Sequence, residues 1–554
     1  MHQEIRKLRI GVMTNGNSVP AWAFKMLEAI QLSDSCEVVL HIVNGSGSKS
    51  EGGVSKLWKK RKHLLLYAYE TIDAKLFGNK PDAFESKKLS ELWGEIPKLI
   101  VTPIEKKFTD RIEDSDVKQI QKQQPDVLIR LGFRILTGDI LTVASHGIWS
   151  YHHADNRVNR GGPAGFWEFF LNQGATGVTL QKLTEALDDG VVIDRSSTST
   201  NRFSYARNRN ALYWRSVMML PRQLDKLSSL GEDSFWPTTK KLNEGLSSYS
   251  TPLYKSPGNW AFCKLLWQKS LRIISERIYL TFNLRQWILL YRFGKNQPQF
   301  GLFSFKRIIP PKDRIWADPF VMDRNGKSYV FIEEQPVKTE IGHISVLELS
   351  KDGWTKPQVV VKQPYHMSFP FLKEIEGTLF MIPETGKNNC IEYYECVDFP
   401  MKWVKRGELM SHVTAMDSVL LEKDGTWYLF TTIVTPKGAS SWDELHLYYS
   451  DEPLTDQWQR HPLSPIVTDV RKARMAGDFF QKNGNLYRPS QNCTGHYGAG
   501  MIINRVLKLS REEYFEEEVE NISAEWASDL HSTHTFNSSD SVTIIDAQIH
   551  RSKV

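Results

Sequence analysis

Trp316-Ala317-Asp318-Pro319-Phe320-Val321-Met322-Asp323-Arg324-Asn325-Gly326-Lys327-Ser328-Tyr329 reads as two short β runs joined at an Asn-Gly turn, the dipeptide that accepts the left-handed backbone of a tight hairpin. The same grammar returns three times. Ser368-Phe369-Pro370-Phe371 precedes Glu376-Gly377, Met416-Asp417-Ser418-Val419 precedes Asp424-Gly425, and Gly477-Asp478-Phe479-Phe480 precedes Asn483-Gly484. An aromatic follows three residues after each turn glycine: Tyr329, Phe380, Tyr428 and Tyr487. Hairpin units recurring at a period of about 50 residues are the signature of a β-propeller. His534-Thr535-Phe536-Asn537 with Val542 to Gln548 supplies a fifth unit, closed by the strand near Trp287 to Tyr291. A five-bladed all-β propeller is expected over residues 281–554.

Upstream the pattern changes. Strand-like runs at Arg9 to Met13, Glu37 to Ile42, Leu99 to Thr102 and Asp126 to Leu131 alternate with helical stretches such as Trp22 to Gln31 and Glu113 to Gln123, which predicts βαβ units and a mostly parallel sheet. Residues 1–235 are expected to form an α/β Rossmann-like domain, with Ala206 to Leu230 as one further helix. Its first loop, Met13-Thr14-Asn15-Gly16-Asn17, is not a dinucleotide fingerprint. Residues 236–280 are expected to be a linker and a docking helix. In that helix Trp260, Cys263, Leu266, Trp267, Leu271 and Ile274 form an apolar stripe to be buried.

With 554 residues, 41% hydrophobic and 24% charged, and a mean hydropathy of −0.39, the composition excludes a disordered chain and a membrane bundle. A net charge of +6 is too small for a dedicated nucleic-acid binder, and none is expected as a partner. The five cysteines are scattered without a C-x-x-C pair, which fits a reducing, cytoplasmic setting. No apolar run is long enough to span a membrane, and the amino-terminal apolar stretch is too short for a signal peptide. The basic run Lys56 to Lys62 could touch an anionic membrane surface or lie on a solvated helix face.

Gly147-Ile148-Trp149-Ser150-Tyr151-His152 reads as a strand ending at a histidine, followed by a Gly- and Arg-rich loop and the acidic turn Leu187-Asp188-Asp189-Gly190. Read alone, His152 and Asp188 are either an acid/base pair or turn residues. His152 and His153 point to opposite faces of a strand, so no metal site is expected. The stretch from Gly147 to Ile193 resembles the catalytic core of the 10-formyltetrahydrofolate-dependent formyltransferase family. The resemblance covers about residues 8 to 230. It implies His152 and Asp188 as catalytic residues, with Ser150 where the family has asparagine. It also implies 10-formyltetrahydrofolate as co-substrate, contacted by Arg160, Gly161, Leu131 and Gly132. The acceptor it implies is an amine of a sugar or sugar nucleotide.

In a propeller, residues at one repeat position converge on the central channel. Asp318, Asp417 and Asp478 share one such position, and Glu333, Glu384, Thr432 and Gln491 share another. Converging carboxylates suit glycoside chemistry or glycan binding. Arg474, Arg488, His446, His496 and His534 could form an anionic subsite. Trp316 to Phe320, Arg474 to Asp478 and Arg488 to Gln491 resemble five-bladed propellers of the arabinanase and invertase type, and the propeller domain attached to plant glucosamine inositolphosphorylceramide transferases. A pocket of Asp318, Glu333, Glu384, Asp417, Arg474, Asp478, Arg488 and Gln491 that binds or processes a glycan is expected; the likeness does not itself place the general acid, and Glu384 is the candidate. If the first domain is an inactive scaffold, the propeller carries the function.

Overall fold

The computed structural model describes residues 6–46, 61–106, 108–185, 190–244, 253–294 and 304–553. The chain divides into two compact units: Met1–Lys269 with Pro436–Ala439, and Ser270–Thr435 with Ser440–Val554. The first is mixed α/β and the second is all-β after the end of one helix.

The first unit is built on a seven-stranded sheet in the order Val191–Ser199, Ala175–Lys182, Ile148–His152, Val127–Arg130, Leu8–Thr14, Cys36–Asn44, Lys98–Val101. The five strands from Ile148–His152 to Lys98–Val101 pair in parallel, and the other two add as antiparallel neighbours. Val12, Ile42, Val127, Leu128, Ile129, Ile148 and Trp149 are all fully buried, as a sheet covered on both faces requires. From Leu8–Thr14 the chain first builds outward to Lys98–Val101 and then crosses to Val127–Arg130. A crevice therefore opens at the carboxyl ends of Leu8–Thr14 and Val127–Arg130.

The single helix expected over 206–230 is two helices, Tyr205–Ser216 and Met219–Leu230. The Tyr151 hydroxyl donates to the Ser216 carbonyl at 2.7 Å and accepts from the Leu220 amide at 3.0 Å. Those two groups would bond each other in a continuous helix, so the inserted phenol occupies the missing rung. Helix Asn259–Phe282 forms as expected but buries different residues. Phe262 and Lys269 are buried, the Lys269 ammonium bonding the Phe169 carbonyl and the Asn172 side chain, while Trp260 and Trp267 are 88% and 66% exposed. Leu271 and Ile274 are exposed too, which corrects the buried stripe. No helix among the described residues is long and apolar enough to cross a membrane.

The second unit contains five antiparallel sheets among its described residues. Four follow one another along the chain and open with the strands Arg314–Arg324, Ser368–Ile375, Ala415–Lys423 and Phe480–Lys482. In the fifth, Asn283–Phe293 pairs along its whole length with Val542–Ser552, so the first strand of the unit is held by its last. The four turn glycines, Gly326, Gly377, Gly425 and Gly484, have φ of +74° to +77°, each behind another positive-φ residue. That is the two-residue hairpin geometry that Asn-Gly and Asp-Gly favour.

The opening strand of each of the first three sheets is interrupted by a bulge at the repeat motif. Asp318, Phe369 and Asp417 there adopt φ of +49°, +45° and +47°, a costly backbone for non-glycine residues that re-aims the side chain. In the fourth repeat the positive φ falls on Gly477, where an added Cβ would lie 2.1 Å from the Phe536 carbonyl oxygen.

Candidate functional site

The bulges of the second unit place Asp318 and Asp417 in one buried polar cluster fed by all five sheets. The Arg474 guanidinium bonds both oxygens of Asp417 and reaches Glu384 Oε2 at 2.9 Å. Gln491 donates to Asp417 at 2.8 Å. Asp318 accepts from the Phe369 amide at 3.2 Å and the Thr535 hydroxyl at 2.7 Å. The His534 imidazole lies between two carboxylates, with Nε2 3.2 Å from Asp318 and Nδ1 2.9 Å from Asp546. Glu333 completes the set, 3.4 Å from His366 Nε2.

Burial and charge push these groups apart. For Asp318, burial works against ionisation, but the charge and hydrogen bonds of His534 and Thr535 outweigh it and hold the carboxyl below its ordinary value. Glu384 is raised to about 8 by burial, with Arg474 opposing and Asp417 reinforcing the shift. Burial and the neighbouring Asp318 and Glu384 charges raise Glu333 well above the carboxyl range. His534 rises to about 10: burial alone would lower it, and Asp546 and Asp318 reverse the sign. The cluster therefore sets Asp318, held toward its ionised form, beside Glu333 and Glu384, pushed toward their protonated forms.

Two expected members lie elsewhere. Asp478 stands one position beyond the positive-φ glycine. Its carboxylate accepts from the Phe479 amide at 2.7 Å, and burial raises it to about 6. Arg488 is fully buried and bonds Glu516 at 2.7 and 2.8 Å, a partner from the acidic stretch 512–520. His446 contacts Glu444 at 3.2 Å. Arg474 and His534 are both paired with carboxylates. Sequence reading overlooked Asp546, which sits in the last strand, outside the aligned hairpin positions.

In the first unit, Ser150 and His152 lie on one strand two residues apart, beside the crevice. The buried Ser150 hydroxyl accepts from Arg130 Nε at 3.0 Å and Nη2 at 2.8 Å. His152 Nε2 is 3.1 Å from the Asn159 carbonyl, which can only accept, so that nitrogen carries the proton. His153 packs against the Tyr213 ring at 3.8 Å, away from Ser150. An added Cβ on Gly132 would come within 2.5 Å of the Asn15 amide nitrogen, so glycine allows the two crevice loops to meet there. The Leu131 amide bonds the Met13 carbonyl at 2.9 Å. Tyr254 lies directly on Gly161, whose added Cβ would be 1.8 Å from its carbonyl oxygen, while Arg160 is partly buried. Asp188 lies outside the described residues, as do Lys56, Lys59 and Lys60.

Residues 309–547 match the family model described as glucosamine inositolphosphorylceramide transferase 1, N-terminal. Glucosamine inositolphosphorylceramide transferase 1 of Oryza sativa subsp. japonica is 33% identical over 204 residues, covering 36% of this chain and 27% of that protein. The chain thus spans about a quarter of the length of the curated relative. Zg3597, a family 117 glycoside hydrolase from Zobellia galactanivorans, is similar over 48% of this chain and 90% of its own, with a TM-score of 0.32 and 11% identity. Glycinamide ribonucleotide transformylase 1 from Symbiobacterium toebii covers 40% of this chain and 88% of its own, with a TM-score of 0.26 and 14% identity. The chain has a two-part architecture, in which an α/β unit precedes a domain similar to the N-terminal domain of glucosamine inositolphosphorylceramide transferase 1.

Proposed function

We propose that the second unit is a closed five-bladed propeller whose buried cluster recognises and processes a carbohydrate, and that the protein acts on sugars. The observation that carries this reading is the convergence of Asp318, Glu333, Glu384, Asp417, Arg474, Gln491 and His534 from five sheets into one network. The pairing of the unit's first strand with its last supports closure. A carboxyl kept protonated beside one kept ionised is the arrangement that glycoside chemistry needs, here Glu384 as acid and Asp318 as base. The matched relative is by name a transferase of glucosamine and inositolphosphorylceramide, which supports a sugar as ligand. Calorimetric titration with a glycan panel, coupled to assay of released reducing ends, tests the reading. Binding is expected with wild type, and Asp318→Asn is expected to lower turnover by about 100-fold or more. Absence of binding across the panel would refute it.

Formyl transfer by the first unit is the second reading, favoured by the Arg130–Ser150–His152 arrangement. 10-Formyltetrahydrofolate would supply the formyl group to a sugar amine. Both lone pairs of the Ser150 oxygen are engaged by Arg130, so its hydrogen is the one left to donate to a developing oxyanion. His152, two residues further along the same strand, is the candidate to take the amine proton. Tetrahydrofolate release in the presence of amino sugars is the assay. Ser150→Ala should slow it by about 10²–10³-fold. No release with any amino sugar would identify the first unit as a scaffold.

A further inference from the structure

Helix Asn259–Phe282 is apolar on two sides. On one side Phe262 is buried, with Leu265 and Leu266 half-buried beside it in one aromatic cluster. On the opposite side Trp260, Trp267, Leu271, Ile274, Ile278 and Phe282 recur at intervals of three, four or seven residues and so form a single stripe. Each of the six is 48% to 88% exposed. The stripe runs for about 33 Å along the helix. Single apolar side chains are ordinary on a protein surface, but a continuous stripe headed by two tryptophans marks a surface that something covers.

Charge identifies the occupant. The exposed charged residues of the helix are Lys264, Arg272 and Arg277, all basic. Its one acid, Glu276, stands seven residues after the buried Lys269 on the covered side, and accepts from Arg285 at 2.6 Å. Two copies of the chain joined along the stripe would set these cations against one another, with no exposed carboxylate on either helix to face them. An anionic bilayer answers both features. Its headgroup phosphates face the cations, while the apolar stripe enters the boundary of the acyl chains with tryptophan at the interface. The helix is not apolar enough to cross a membrane, so it would lie in the plane of the surface.

We propose that the outer face of this helix is an interfacial anchor that docks the protein on an anionic lipid bilayer. The helix lies outside residues 309–547 matched to the family model and contributes no residue to either site described above. The test is flotation of the full chain with vesicles of phosphatidylcholine alone or mixed with phosphatidylglycerol. The mixed vesicles are expected to bind it about ten-fold or more tighter than the neutral ones, and added salt to weaken that binding. Trp267→Ser combined with Ile274→Ser, both at exposed positions, should lower partitioning onto the mixed vesicles by about ten-fold or more. Cys263, the one exposed cysteine, stands one helical turn from both tryptophans. A polarity-sensitive fluorophore attached there should shift its emission to the blue on vesicle binding, a readout that needs no change in the stripe. Failure to float with either vesicle would overturn the proposal. So would flotation with an unshifted fluorophore, or flotation that survives both substitutions, since either would trace the contact to another surface. Equal binding of both vesicles would overturn the anionic selectivity. A dimer in light scattering that the two substitutions dissociate would assign the stripe to a second copy and overturn the bilayer.

Discussion

Arg474→Met is expected to destabilise the second unit by about 3–5 kcal/mol, the cost of leaving buried carboxylates without their cation. Arg474 is 6% exposed and is the only cation within ion-pair distance of Asp417 among the described residues, and it also holds Glu384. Methionine fills a similar volume, so little of the loss would come from a cavity. Urea denaturation followed by fluorescence measures the effect, each unit giving its own transition if they unfold separately. Adding Asp417→Asn should restore part of the loss, because it removes the charge that Arg474 neutralised. An unchanged midpoint in Arg474→Met would show that the network contributes no stability.

The second unit is also expected to lose stability steadily as pH rises from about 5 to 10. Glu384 and His534 are both raised in the folded state, to about 8 and about 10. A group with a raised folded value contributes stability fully present below its unfolded value and lost as pH rises through the folded one. Glu384 acts between its ordinary value of 4.5 and about 8, and His534 between 6.5 and about 10. Each contributes a slope of up to about 1.4 kcal/mol per pH unit in its window. The windows overlap between pH 6.5 and about 8, where the fall should be steepest. Glu384→Gln should flatten the lower part of the profile and His534→Gln the upper. Asp318, Glu392 and Glu516 are held below their ordinary values, so their contributions are lost only as pH falls into the acid range. A flat denaturation profile from pH 5 to 10 would contradict the environments described for Glu384 and His534.

Much of the local structure was legible in the sequence because local rules govern it. Asn325-Gly326 and Asp424-Gly425 specify hairpins through backbone preference alone, and the apolar runs at Leu8–Thr14 and Val127–Arg130 mark buried strands. The repeat also brought Asp318, Glu333, Glu384, Asp417 and Gln491 into one candidate set. It misplaced Asp478, because matching residue types across repeats does not show which backbone position takes the positive φ. Gly477 takes it in the fourth repeat, where the Phe536 backbone leaves no room for a Cβ. Similarly, apolar spacing marked a helix over 260–277 but not which side is covered, and Lys269 is buried while Trp260 is exposed.

By itself, then, the sequence determined where hairpins turn, where strands alternate with helices, and which residue types recur at each repeat. These depend on short-range sterics and on the periodicity of apolar side chains. Only the tertiary structure decided the partners: His534 between Asp318 and Asp546, Arg474 on Asp417 and Glu384, Arg488 on Glu516, Arg130 on Ser150, and Tyr151 in the break between two helices. Those contacts join residues distant in the chain, and their strength comes from burial away from water. Neither distance nor burial is a property of a residue in isolation, so the protonation states on which the proposed chemistry rests arise only once the sheets have assembled.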